Sequence, residues 1–406
     1  MKRIVVLLDG TWNNEGIGFD TNVAKLDPGY RPKHGALATS LIRDRGADGT
    51  GQVCLYHDGV GLEGTLLRRL LGGAIGLGLK EIIRQAYSWL AGKFQPGDEV
   101  YLLGFSRGAY SARALAGMIG ASGIQRRGAG DVFETAWRNY RVRPAIRSGE
   151  AAAGASDAGS LADYRSLAAK DAFHEDRRIK CVAVWDTVGS YGVPAGVGLA
   201  PLARYVTLLT LGFHDTRLGD HIDVGLHAVG IDEHRRPFVP TLWTIPKGQS
   251  PRGQVEQTWF AGAHASVGGG YPDTGMSDEA LIWMIARLQA LTGLEFDTNA
   301  VKSLVRPNID GEVVDSTKGW PVDHLWPHYR AVLSPDAVEH GAFANTANPA
   351  EENIGERVHW SAVAKRGRPC TYLGAPHTPY VPSNMPSSMQ PARIAARTSE
   401  EAALWP

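Results

Sequence analysis

The sequence predicts an α/β fold, a mainly parallel sheet with helices on both faces, and three observations carry that expectation. Strand signals and helix signals alternate along the chain. The first apolar run, Ile4–Leu8, reads as a buried strand that stops at Asp9-Gly10. Further on, the strand Glu99–Leu103 runs straight into a glycine-flanked corner and out into a helix.

Taken in order, Val53–Tyr56 is the second strand. Leu79–Leu90 carries Ile82, Ile83, Ala86 and Leu90 at helical spacing. The turn Pro96-Gly97-Asp98 leads into the strand Glu99–Leu103, and Tyr110–Ile119 follows as a helix rich in small residues. Ile179–Trp185 is an apolar, β-branched strand. Glu256–Phe260 is another, followed by a glycine run and the helix Glu279–Leu291. Residues 1–300 are read as one catalytic domain, interrupted by two segments. One is a loop-like insertion at 126–171, rich in Ala, Gly, Ser and Arg; the other is an apolar stretch at 194–213, read as a lid or cap. Past Val301 the periodicity fades, so residues 301–406 are expected as an irregular, extended C-terminal extension packed on the same domain.

Composition narrows the function classes. Among 406 residues, 43% are hydrophobic and 21% charged, enough apolar surface for a sizeable core. Lys plus Arg and Asp plus Glu are 42 each, so no net field favours nucleic acid as a partner. The three cysteines, Cys54, Cys181 and Cys370, are too scattered for a disulfide framework or a metal-ligand spacing, and no metal site is expected. The run after Met1-Lys2-Arg3 is too short for a signal peptide, so synthesis and folding in the cytoplasm are expected.

Gly104-Phe105-Ser106-Arg107-Gly108 is the one Gly-x-Ser-x-Gly in the chain, and its strand-to-helix context gives it weight. A strand that turns directly into a helix strains the corner residue and needs small neighbours two positions away. In return a hydroxyl is presented above the sheet edge, at a helix N-terminus that favours developing negative charge. Ser106 is therefore the expected nucleophile.

A serine hydroxyl needs an imidazole to accept its proton, and in α/β hydrolases the partners follow in the order nucleophile, acid, histidine. Asp186 ends the strand Ile179–Trp185 and suits the acid that orients the imidazole. His264 follows the strand Glu256–Phe260, with Ala261, Gly262, Ala263 and Ala265 around it, and suits the base. His359, His214 and His227 stay open as alternative bases. For the oxyanion, one donor is the amide of Arg107. The second is sought in Asp9-Gly10-Thr11-Trp12, where Gly10 allows close approach and Thr11 offers its amide. The carboxylate of Asp9 must then turn away, toward a backbone nest, an arginine or a cation.

Together these segments resemble a known family. Arg3–Asn13, Gly104–Tyr110, Trp185–Gly189, Phe213–Thr216, Ala228–Pro237 with Asp232-Glu233, and His264–Pro272 are similar, in order, to the α/β-hydrolase domain family of formerly unknown function that includes type VI secretion phospholipase effectors. The resemblance spans roughly residues 1–290, with Val358–Ser361 as a fainter trace. It implies an acyl-ester hydrolase with Ser106, Asp186 and His264 as nucleophile, acid and base, and no cofactor. It further implies a glycerophospholipid substrate at a membrane surface, export by a type VI machine without a cleaved signal, and a secretion component or immunity protein as partner. Two other readings remain: a carboxylesterase acting on small soluble esters, and a non-catalytic α/β-hydrolase-like binding protein.

Overall fold

Apolar, β-branched runs need cover on both faces, and the sheet they build has it. The computed structural model describes residues 1–10, 20–30, 40–59, 73–148, 172–188, 217–333 and 351–406. Its strands are β1 (Lys2–Leu8), β2 (Gly51–His57), β3 (Glu99–Phe105), β4 (Ile179–Trp185), β5 (Ile222–Gly230), β6 (Thr244–Pro246), β7 (Gln254–Phe260), β8 (Glu351–Asn353), β9 (Glu356–His359), β10 (Pro369–Tyr372), β11 (Ala375–Pro379) and β12 (Ile394–Ala395). Eight of them form the main sheet in the order β12-β9-β7-β5-β4-β3-β1-β2. Every pairing in it is parallel. Two small antiparallel pairs, β6 with β8 and β10 with β11, lie outside it.

The side chains of β1 divide strictly between two cores, as period-two geometry requires. Ile4, Val6 and Leu8 pack with the helices Gly73–Lys93 and Arg107–Ser122. Val5 and Leu7 pack on the opposite face with the helix Gly275–Thr292. The sheet is thus fixed from both sides, and the loops after its strands all open at one edge.

The expected strands and helices coincide with observed ones, and the differences have local causes. β5 is not among the expected strands, although Ile222, Val224, Leu226 and Ala228 alternate with Asp223, Gly225 and His227 in the period-two pattern of a strand. Within the presumed loop 126–171, Phe133–Ser148 is helical, its buried Phe133, Ala136 and Tyr140 packing on the first core. The remaining part of that segment, 149–171, and the apolar stretch 194–213 lie outside the described residues. The C-terminal segment is less irregular than its periodicity suggests, because β9 and β12 extend the main sheet beyond β7. Short edge strands of four and two residues leave too little pattern to read.

Candidate active site

Ser106 stands at the corner between β3 and the helix Arg107–Ser122, with φ 57° and ψ −119°, a conformation that L-residues rarely adopt. The corner closes only because its neighbours are glycines. A Cβ at Gly104 would collide with the backbone of Gly108, and one at Gly108 with the carbonyls of Leu8 and Asp9. The amide of Ser106 donates to the carbonyl of Trp185 at 3.1 Å, tying the corner to the end of β4.

That strand end supplies Asp186, fully buried and itself at positive φ, 39°. Its Oδ1 accepts from the amide of Gly230 at 2.9 Å, and its Oδ2 lies 2.5 Å from Nδ1 of His264. The other imidazole nitrogen, Nε2, lies 2.9 Å from Oγ of Ser106. Carboxylate, imidazole and hydroxyl therefore form one continuous line, although the residues come from the ends of β3, β4 and β7.

Sequence reasoning missed Arg330. Its buried guanidinium reaches both oxygens of Asp186, Nη1 to Oδ1 at 2.7 Å and Nη2 to Oδ2 at 2.9 Å, and also donates to the carbonyls of Gly230 and Phe238. Burial alone would raise the carboxyl of Asp186; the charge of Arg330 and the hydrogen bond from His264 outweigh it and hold the group well below the usual carboxylate range. Asp186 is thus ionised, as an acceptor for an imidazole N–H must be. No local signal marks Arg330, which sits in a segment without periodicity.

His264 opens the short helix His264–Gly268, and its loop is held by two carboxylates that follow β5. Glu233 accepts from the amide of His264 at 3.2 Å, and Asp232 from the amide of Gly262 at 2.7 Å. Burial works against ionisation of Glu233, but the charge of Arg235 overrides it and lowers the group to about 2. Asp232 has two tyrosine hydroxyls, Tyr380 and Tyr372, instead of a paired cation, and burial raises it to about 6. The pair Asp232-Glu233 was visible in the sequence only as part of a resemblance; its task is to shape the loop of His264. Phe105 and Phe238 flank the imidazole at ring-centroid distances of 4.6 and 5.0 Å. They limit its rotation.

At the end of β1, Gly10 comes so close that a Cβ there would lie 3.4 Å from Cβ of Ser106. Its own amide donates to Oδ1 of Asp9 at 2.7 Å, so Gly10 contributes proximity while its N–H serves the neighbouring carboxylate. The hydroxyls of Thr21 and Tyr56 donate to Oδ2 of Asp9, at 2.5 and 3.0 Å. The carboxylate thus turns to hydroxyls and a backbone amide. Thr11 lies outside the described residues. Arg107 begins the helix after Ser106, where first-turn amides face the end of the helix.

Two of the alternative bases, His359 and His227, sit elsewhere. His359 bonds Oε1 of Glu401 through Nε2 at 2.9 Å and Oγ of Ser361 through Nδ1, and it stacks on Phe260 at 4.4 Å. His227 accepts from the amide of Thr187 at 3.0 Å, and burial lowers it to about 3, which keeps it neutral. It supports the turn after Asp186 from below. His214 lies outside the described residues.

Comparison with known proteins gives one family. The model of the type VI secretion phospholipase effector Tle1-like catalytic domain matches residues 2–287. An uncharacterized protein of Saccharomyces cerevisiae is 28% identical over 267 residues, which cover 61% of this chain and 34% of the relative. Among solved structures, the Tle1 effector bound to the VgrG spike from the type 6 secretion system is similar at 17% identity and a TM-score of 0.34, over 68% of this chain and 52% of that one. An uncharacterized protein from Pseudomonas aeruginosa is similar at 18% identity and a TM-score of 0.38, over 73% and 46%. The chain therefore spans about a third of the yeast relative's length and about half of each solved structure's.

Proposed function

We propose that this chain, which belongs to the Tle1-like family of type VI secretion phospholipase effector catalytic domains, hydrolyses acyl esters of glycerophospholipids through Ser106, His264 and Asp186. The observation that carries the proposal is the 2.9 Å approach of His264 Nε2 to Ser106 Oγ, with the opposite ring nitrogen 2.5 Å from Asp186. With Nδ1 protonated toward a carboxylate, Nε2 holds a lone pair aimed at the hydroxyl.

Acylation then runs as follows. Oγ of Ser106 bonds to the ester carbonyl carbon while its proton passes to Nε2, and the carbonyl π pair moves onto oxygen. The amide of Arg107 is the proposed donor to that oxygen, with Gly10 allowing close approach, and the helix N-terminus favours its charge. Collapse expels the alcohol, which takes the proton from His264. Water repeats the sequence and releases the carboxylic acid, leaving Ser106 free. Asp186 stays ionised throughout and stabilises the imidazolium.

Family membership supports a phospholipid as the ester and transport by a type VI machine. No helix among the described residues is long and apolar enough to cross a membrane. Incubation of the folded chain with a fluorophosphonate probe tests the nucleophile: covalent label on Ser106, absent in Ser106→Ala, is expected. Vesicles that release fatty acid identify the substrate class, whereas turnover of soluble short-chain esters alone would indicate a carboxylesterase.

A further inference from the structure

The largest concentration of exposed apolar side chains among the described residues lies beside this site. Val322 is 55% exposed, Leu325 67%, Trp326 66% and Tyr329 49%. Their spacing (i, i+3, i+4, i+7) runs through and just beyond the short helix Pro321–Leu325. A cluster of this kind costs solubility unless something covers it.

Both ends of the segment are fastened to the proposed catalytic residues. At one end Trp320 meets Phe238 edge-on at 6.1 Å, and Phe238 in turn meets His264 at 5.0 Å. At the other, Arg330 follows Tyr329 directly and grips Asp186. The charge pattern is also one-sided. Asp323, the one acidic residue between Lys318 and Arg330, is buried and accepts from the amide of Arg236, while Lys318 is exposed on the flank. The outward face is apolar with Lys318 and Arg236 exposed at its border, while the half-buried carboxylate of Asp315 accepts from Thr317 and lies 3.7 Å from His324.

We infer that residues 320–329 form the surface by which this chain docks on a phospholipid bilayer, setting the ester bond over Ser106. Trp and Tyr with Leu between them suit the headgroup boundary, where an apolar ring body is buried and its polar edge stays wet. Exposed cations at the border, Lys318 and Arg236, suit anionic lipid. The inference rests on the lipid reading of the site, and the fastening at both ends makes docking and alignment of the catalytic groups one event.

Flotation with vesicles of phosphatidylethanolamine and phosphatidylglycerol tests this on the full chain carrying Ser106→Ala, so that no lipid is consumed. Adding Leu325→Ser and Trp326→Ser should lower the partition coefficient by about tenfold or more, the weight of large apolar side chains left in water. Adding Val381→Ser instead, an equally exposed apolar residue, should change nothing. In the chain with Ser106 intact, the ratio of vesicle to soluble-ester hydrolysis should fall by the same factor in the Leu325/Trp326 variant. Unchanged flotation of that variant overturns the inference. So does conversion of a dimer to a monomer without loss of lipid binding, which would make a second copy of the chain the occupant. Failure of the unaltered chain to hydrolyse any ester would sink the enzymatic reading but leave the flotation result standing.

Discussion

Arg330 and Asp186, 144 residues apart, form a two-armed ion pair in which each guanidinium nitrogen meets its own carboxylate oxygen, with both side chains fully buried. The carboxylate that faces His264 is therefore clamped from behind by the guanidinium of Arg330.

Arg330→Met should leave Asp186 buried and uncompensated. A loss of about 3–5 kcal/mol is expected from removing one partner of such a pair. The folded-state carboxyl lies below its ordinary value, so it stabilises the fold above the unfolded pKa and that contribution fades as pH falls. In the variant that contribution is smaller and is exhausted at a higher pH. Acid-induced unfolding followed by circular dichroism should shift upward, with Arg330→Lys between the two; an unmoved midpoint refutes the clamp.

Ser106→Ala should reduce ester turnover by roughly four to six orders of magnitude. Ser106→Gly should be equally inactive but melt at a higher temperature than Ser106→Ala. Glycine relieves a corner strain of about 1–3 kcal/mol and gives back roughly 0.5–1 kcal/mol in chain entropy. Melting curves of the two inactive variants decide the point, and equal midpoints would mean that the corner stores no strain.

The two histidines after parallel strands should part cleanly. His264→Gln is expected to abolish labelling of Ser106 by a fluorophosphonate. His359→Gln should keep that labelling while losing about 1–3 kcal/mol of stability through the stranded Glu401. The opposite outcome would transfer the base to His359.

Glu233→Gln tests the support of the His264 loop. The carboxylate of Glu233, lowered to about 2, contributes stability above its unfolded pKa and loses it as pH falls toward that value. The variant should therefore unfold more readily in urea than the unaltered chain at pH 7, and the gap should narrow below about pH 4. A gap independent of pH would assign the loss to packing instead of charge.

The sequence by itself determined the parts of this protein that are local. The apolar run Ile4–Leu8 could only be a covered strand, and Gly104 and Gly108 could only mark a corner where backbones touch. The proposed grouping of Ser106, Asp186 and His264 is read from strand ends that carry a hydroxyl, a carboxylate and an imidazole. Tertiary structure decided whatever depends on distant segments meeting. It brought β9 and β12 from a stretch without period to the sheet edge. It also turned Asp9 toward Thr21 and Tyr56, and carried Arg330 to Asp186. Periodicity reports the environment of neighbours three or four residues away. A hydrogen bond spanning 144 residues leaves no trace in it, because only the folded sheet puts those two side chains in one dry space.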